Sequence, residues 1–150
     1  MNYEQEGWNL SIRTTLLPKD TNQHGTIFGG VILSYIDIAG SIEAKRFCAQ
    51  QVVTVAMKEV IFKEPVFVGD LISFYTRIIH SGRTSITTEV SVLTPRVSGE
   101  KRNCLVTDAE VTYVAIDENR KPQQIEIRKQ QIDPPAFSNA FLQERLKVEN

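Results

Sequence analysis

The sequence predicts an α+β fold in which a curved, five-stranded antiparallel sheet wraps one long central helix. Three observations predict it. A long apolar helical stretch comes early, at about 27–47. Four strand-like segments follow with no second helix between them, which is not a βαβ pattern. The helix is also apolar nearly all round, as expected of an enclosed element rather than one laid on a surface.

Each element follows in order. Trp8 to Leu17 alternates enough for a first strand and ends at Pro18. The stretch PKDTNQHGT, 18–26, collects turn formers and reads as a loop. Thr26 is the expected N-cap of the helix. In 52–63, VVTVAMKEVIFK is rich in β-branched residues until Pro65 stops it. In 70–80, Ile72, Phe74, Thr76 and Ile78 share one face, and Ser81-Gly82 marks a turn. In 84–94, Ile86, Thr88, Val90 and Val92 oppose Ser85, Thr87, Glu89 and Ser91 with a period of two. In 103–116, Thr107, Ala109, Val111 and Tyr113 alternate with Asp108, Glu110 and Thr112, after an exposed connection from Pro95 to Arg102. Beyond residue 122 the chain turns polar and proline-broken. The expected organisation is therefore a folded domain over 1–122 and a polar extension over 123–150, with a short helix from Ser138 to Val148.

Composition narrows the function. At 150 residues, with 41% hydrophobic and 23% charged, one domain can bury a real core. A net charge of −1 gives no reason to expect nucleic acid. Cys48 and Cys104 have no metal-like spacing and make no disulfide framework. The N-terminus lacks a basic n-region and an apolar h-region, and no apolar run is long enough to span a bilayer, so a cytoplasmic protein away from the membrane is expected.

Familiar motifs are absent: there is no G-x-S-x-G, Walker A, G-x-G-x-x-G or H-E-x-x-H pattern. Two histidines, His24 and His80, do not suggest a histidine-rich metal site. What stands out is HGTIFGGVILSYIDIAG, 24–40. Gly29 and Gly30 weaken the first turn of the helix by about 1 kcal/mol each relative to alanine. They also leave its unpartnered N–H groups open to close approach by a ligand, where the macrodipole favours an oxyanion. Asp37 sits two turns further on, roughly 10 Å along the axis, on a stripe with Ser34, Ser41 and Lys45. That stripe is either a solvated face or the border of a groove in which a partly desolvated carboxylate serves as a base. The glycines, in turn, could simply pack against a strand. Asn22 and His24 lie in the preceding polar loop, as turn residues or as ligand contacts. Gly82-Arg83-Thr84-Ser85 offers donors for a phosphate at a hairpin corner.

Taken together, DTNQHGTIFGGVILSYIDIAG, VVTVAM, FKEPVFVGD, SGRTSI and VTYVAIDENRKP resemble the hot-dog-fold acyl-CoA thioesterases, in order and nearly without gaps from about 8 to 122. Within that family the chain is most similar to the bacterial cytosolic hydrolases related to a tandem-domain brain hydrolase. The resemblance implies a helix wrapped by a five-stranded sheet, homodimers with shared sites, and often trimers of dimers. It implies hydrolysis of acyl-CoA to fatty acid and CoA, with no metal and no cofactor beyond the coenzyme A of the substrate. By the resemblance, Asp37 is the essential carboxylate, Gly30 the amide that polarises the thioester, and Thr54 a threonine supplied by the facing subunit. It likewise places the CoA-contacting turn on Arg83, Thr84 and Ser85; Asn22, His24, Phe28, Gly29 and Gly82 are the further expected contacts with substrate or CoA. Tandem-domain relatives have an asparagine near the helix start where this chain has Thr26. Two rivals stand beside this reading: a non-enzymatic acyl-CoA-binding regulator, and a dehydratase using His24.

Overall fold

The computed structural model describes residues 7–95 and 103–128. Strand β1 (Asn9–Thr15) is followed by a 3₁₀ turn at Pro18–Asp20 and by helix α1 (Gly29–Phe47). Strands β2 (Gln51–Met57), β3 (Leu71–Ser81), β4 (Ser85–Thr94) and β5 (Cys104–Ile116) complete one antiparallel sheet in the order β1-β3-β4-β5-β2. The sheet curls around α1. Register shifts in all four pairings, at Leu10/Ile12, Thr54/Ala56, Ile78/His80 and Val92/Leu93, supply the local bends that curvature requires.

The period-two patterns set the inner face. Ile72, Phe74 and Thr76 of β3, Ile86, Thr88 and Val90 of β4, and Val111 and Tyr113 of β5 are fully buried. They meet Ile32, Ile36, Ala39 and Ala44 of α1. The sheet nevertheless covers only one side of the helix: Phe28 and Ile38 remain 58% and 50% exposed. One buried face also holds a carboxylate. Glu43 accepts hydrogen bonds from Asn9 Nδ2 (2.9 Å), Thr76 Oγ1 (3.1 Å) and Arg46 Nη1 (2.9 Å), tying α1 to β1 and β3.

Three boundaries differ from the sequence expectation. The N-cap is Phe28 rather than Thr26. The amides of Ile27 and Phe28 donate to Val66 O and Asp20 O, both at 2.8 Å, which holds these residues extended and delays the helix. Strand β2 stops at Met57, because Lys58 and Lys63 make only isolated backbone bonds to β5 and the intervening residues leave the ladder. Finally, the start of the expected polar extension, 123–128, makes backbone bonds to the folded body. Gln123 N donates to Ala115 O, Ile125 N to Arg83 O and Arg128 N to Phe47 O, each at 2.9 Å. The expected helix from Ser138 to Val148 lies outside the described residues, as does most of the connection after Pro95.

Candidate active site

Asp37 sits mid-helix and half-buried, at the junction of α1 with β2 and β5. Thr54 Oγ1 donates to its Oδ1 at 2.6 Å. Tyr113 Oη donates to the Asp37 backbone carbonyl at 2.7 Å and lies 3.4 Å from Oδ1. Thr54 and Tyr113 are directly opposite each other across β2 and β5, so both side chains rise from the same face toward the helix. The ladder shifts register immediately after Thr54, a device that re-aims side chains next to active sites. Both hydroxyls reach Oδ1; among the described residues no hydrogen bond is made to Oδ2.

Close approach of helix and sheet here depends on Gly40, one turn beyond Asp37. A Cβ at that position would lie 2.7 Å from Thr88 Oγ1 and would also collide with the Tyr113 hydroxyl. Burial, and next the negative charge of Asp37, push the Tyr113 phenol well above its ordinary value. It therefore stays protonated, as a donor, through the neutral range.

Thr54, the threonine that the resemblance places in the facing subunit, also bonds Asp37 within its own chain, because β2 is the edge strand beside β5 and runs past Asp37 of the same helix. The stripe on α1 also divides. Ser34 and Ser41 turn back onto the carbonyls of Gly30 (3.0 Å) and Ile38 (2.8 Å), while Asp37 alone is drawn toward the sheet.

At the helix start the glycines sit beneath two rings rather than against a strand. A Cβ on Gly29 would lie 3.3 Å from the Phe62 ring, and one on Gly30 2.7 Å from Phe28 Cε1. Both rings are largely exposed, and Phe62 joins Thr26, Ile27, Gly29, Ile32 and Pro65 around a cleft of about 320 Å³. Val31 N donates to Phe28 O at 3.0 Å, whereas the amides of Gly29 and Gly30 have no carbonyl four residues back within the helix, and Gly29 lines the cleft. Asn22 is occupied within its loop: Oδ1 accepts from His24 N (2.8 Å) and Thr26 N (3.3 Å), and Nδ2 donates to Thr26 Oγ1 (2.8 Å). His24 is exposed and is not brought to Asp37.

The Gly82–Ser85 turn is closed by Gly82 N donating to Ser85 O at 2.8 Å and leaves Arg83 exposed. It lies toward the far end of the helix. Arg83 O binds Ile125, and Ile127 bridges Cys48, the C-cap of α1. Gly30 to Cys48 is about 27 Å along the axis at 1.5 Å per residue. The structure thus groups Asp37 with Thr54 and Gly29 with Gly30 and Phe28, but sets the Arg83 turn apart from the helix start.

Among the described residues no three His, Cys, Asp or Glu side chains converge as metal ligands, and no helix is long and apolar enough to cross a membrane. Cys48 is buried, with its thiol pushed up by that burial, and so is not poised as a nucleophile at neutral pH. A carboxylate fixed at one oxygen, on a helix whose first turn offers oxyanion donors beside an apolar cleft, is suited to attack on an activated carbonyl.

The thioesterase superfamily model matches residues 24–99, which span the helix, the cleft and strands β2, β3 and β4. The chain belongs to the thioesterase superfamily. Its fold is the hot-dog fold of that superfamily. The acyl-CoA thioester hydrolase YciA of Escherichia coli is 37% identical over 79% of this chain and 92% of its own length. Cj0915, a hexameric hotdog fold thioesterase of Campylobacter jejuni, is 44% identical over 78% of this chain and 90% of its own, with a TM-score of 0.70. HI0827, a hexameric broad specificity acyl-coenzyme A thioesterase solved as an aspartate-to-alanine mutant enzyme, is 36% identical over 93% of this chain and 96% of its own, with a TM-score of 0.73.

Two residues that pack around Asp37 carry little signal in the sequence. Tyr113 was legible only as one inward position of β5. Gly40, a third glycine inside an apolar helix, was the signal that something polar approaches the helix there.

Proposed function

We propose that this chain hydrolyses the thioester of fatty acyl-CoA to a free fatty acid and CoA. The observation that carries the reading is Asp37, tied at Oδ1 by Thr54 with Oδ2 open, on the central helix of a thioesterase-superfamily chain. The thioester oxygen sits on the first-turn amide of Gly30, where helix-end donors stabilise the developing negative charge. Asp37 Oδ2 takes a proton from water as its oxygen bonds to the carbonyl carbon. The tetrahedral intermediate then collapses, the C–S bond breaks, and the CoA thiolate leaves and is protonated. A variant of the same chemistry has Asp37 attack directly, with water hydrolysing the resulting anhydride. The acyl chain lies in the apolar cleft beneath Phe62, Arg83 binds CoA phosphate, and no metal or redox cofactor takes part.

The working unit in this reading is a homodimer with shared sites, assembled as a trimer of dimers. In support, the outer edge of β2 is unpaired among the described residues, and Val55 on it is 55% exposed. Phe28, the N-cap of α1, and Ile38 within the helix add exposed apolar surface. On one helix, moreover, Gly30 and Asp37 are about 10 Å apart, farther than one water bridges, and a second helix alongside shortens the gap. Cytoplasmic action is in keeping with the free thiols of Cys48 and Cys104. The test is release of free thiol from acetyl- to palmitoyl-CoA by the purified protein. Turnover is expected; CoA esters that bind without thiol release would replace the enzyme by a sensor.

A further inference from the structure

Tyr113 is the largest fully buried side chain of the described core, and its hydroxyl is aimed at the one helical residue that carries the chemistry. A buried phenol needs an acceptor, and simple satisfaction would be the ordinary explanation. Three features argue for more. The acceptor is the backbone carbonyl of Asp37 itself, which as a helix carbonyl already has the amide four residues on as its partner. Tyr113 is the cross-strand neighbour of Thr54, so the two hydroxyls bracket the same carboxylate oxygen from adjacent strands. And the approach depends on Gly40, whose placement inside a helix is unfavourable on propensity alone and whose missing Cβ is what admits the phenol beside Thr88.

We propose that Tyr113 is a positioning residue for the reaction: by holding the Asp37 carbonyl and standing against Oδ1, it fixes the height and rotation of the carboxylate so that Oδ2 faces the thioester. The proposal rests on the reading of Asp37 as the reactive carboxylate. The Tyr113 ring supports the core; its hydroxyl orients the base. Loss of orientation alone is costly, because displacements of an ångström near the reacting atoms slow catalysis by one to two orders of magnitude.

Tyr113→Phe keeps the ring and removes the hydroxyl. In the full-length protein it should lower kcat about 10-fold with KM within about twofold of wild type, since an interaction that acts on the reacting group and not on substrate binding moves kcat alone. Melting temperature and elution volume, recorded on the same samples, verify that the variant is folded and assembled. The second arm is Asp37→Asn combined with Tyr113→Phe, where no loss beyond Asp37→Asn alone is expected because the two residues act as a unit. A kcat within twofold of wild type for Tyr113→Phe would overturn the proposal. So would the same fractional loss repeated in the Asp37→Asn background, which would make the hydroxyl independent of Asp37. Full turnover by Asp37→Asn itself would remove the parent reading, and this proposal with it.

Discussion

Asp37→Asn preserves side-chain shape and leaves an oxygen for the Thr54 hydroxyl, so it isolates the carboxylate charge from the local packing. Turnover should fall at least about 100-fold with the fold retained, within the usual range for loss of a general base; a variant keeping more than half of wild-type turnover would end the mechanism. Arg83 is a different kind of residue, exposed and remote from the helix start. Arg83→Ala should raise KM for acyl-CoA more than it lowers kcat, because a distant phosphate contact contributes mainly uniform binding. That effect should shrink as salt is added, and an unchanged KM at low ionic strength would take Arg83 out of the CoA site. At this scale Asp37 and the glycine pair were readable from residue type and spacing. Asn22 was readable only as one of two alternatives, and its bonds to His24 and Thr26 make it an organiser of its own loop.

Between α1 and the sheet, the three glycines of the helix behave differently. Alanine at an exposed helical glycine ordinarily stabilises by about 1 kcal/mol. At Gly40 the sign should reverse, because the new methyl would press on Thr88 and Tyr113, both fully buried. Gly40→Ala should destabilise by about 1–3 kcal/mol, the usual range for overpacking, seen as a lower denaturant midpoint at an unchanged slope. A midpoint equal to wild type would mean that helix and sheet separate freely at Asp37. At Gly30 the nearest atoms belong to the exposed Phe28 ring, which can rotate away, so the same change there is expected to leave stability nearly untouched. The element boundaries were the weaker part of the sequence reading. Thr26 is a good capping residue by type, yet the bonds from Ile27 and Phe28 to Val66 and Asp20 start the helix later.

For the assembled molecule, the internal Thr54–Asp37 contact makes a prediction about mixed oligomers. If each threonine serves the aspartate of its own chain, a dimer of one Asp37→Asn and one Thr54→Ala subunit contains no intact Asp37–Thr54 pair. Mixing the two variants, with subunit exchange verified by mass, should therefore restore no activity beyond the mean of the parents. Recovery of turnover would show that Thr54 crosses between subunits in the assembly. The open edge of β2 and the uncovered side of α1 are where such an assembly would form.

The sequence by itself determined the architecture and marked Asp37 as a carboxylate set in an apolar helix. Period-two alternation in β3, β4 and β5 dictates which side chains can share a core. One long apolar helix with no second helix leaves a wrapped sheet as the way to bury it. These are local signals, carried by neighbours in the chain. What only the tertiary structure decided is how Asp37 is held. Thr54 and Tyr113 are 59 residues apart in sequence and become a pair through the register of β2 on β5, and register is a property of two strands together. Likewise the role of Gly40 exists only when β4 and β5 lie beneath it. The same limit explains residues 123–128: their composition is that of a polar tail, and their attachment to the body comes from backbone bonds to Ala115, Arg83 and Phe47 that no local pattern encodes.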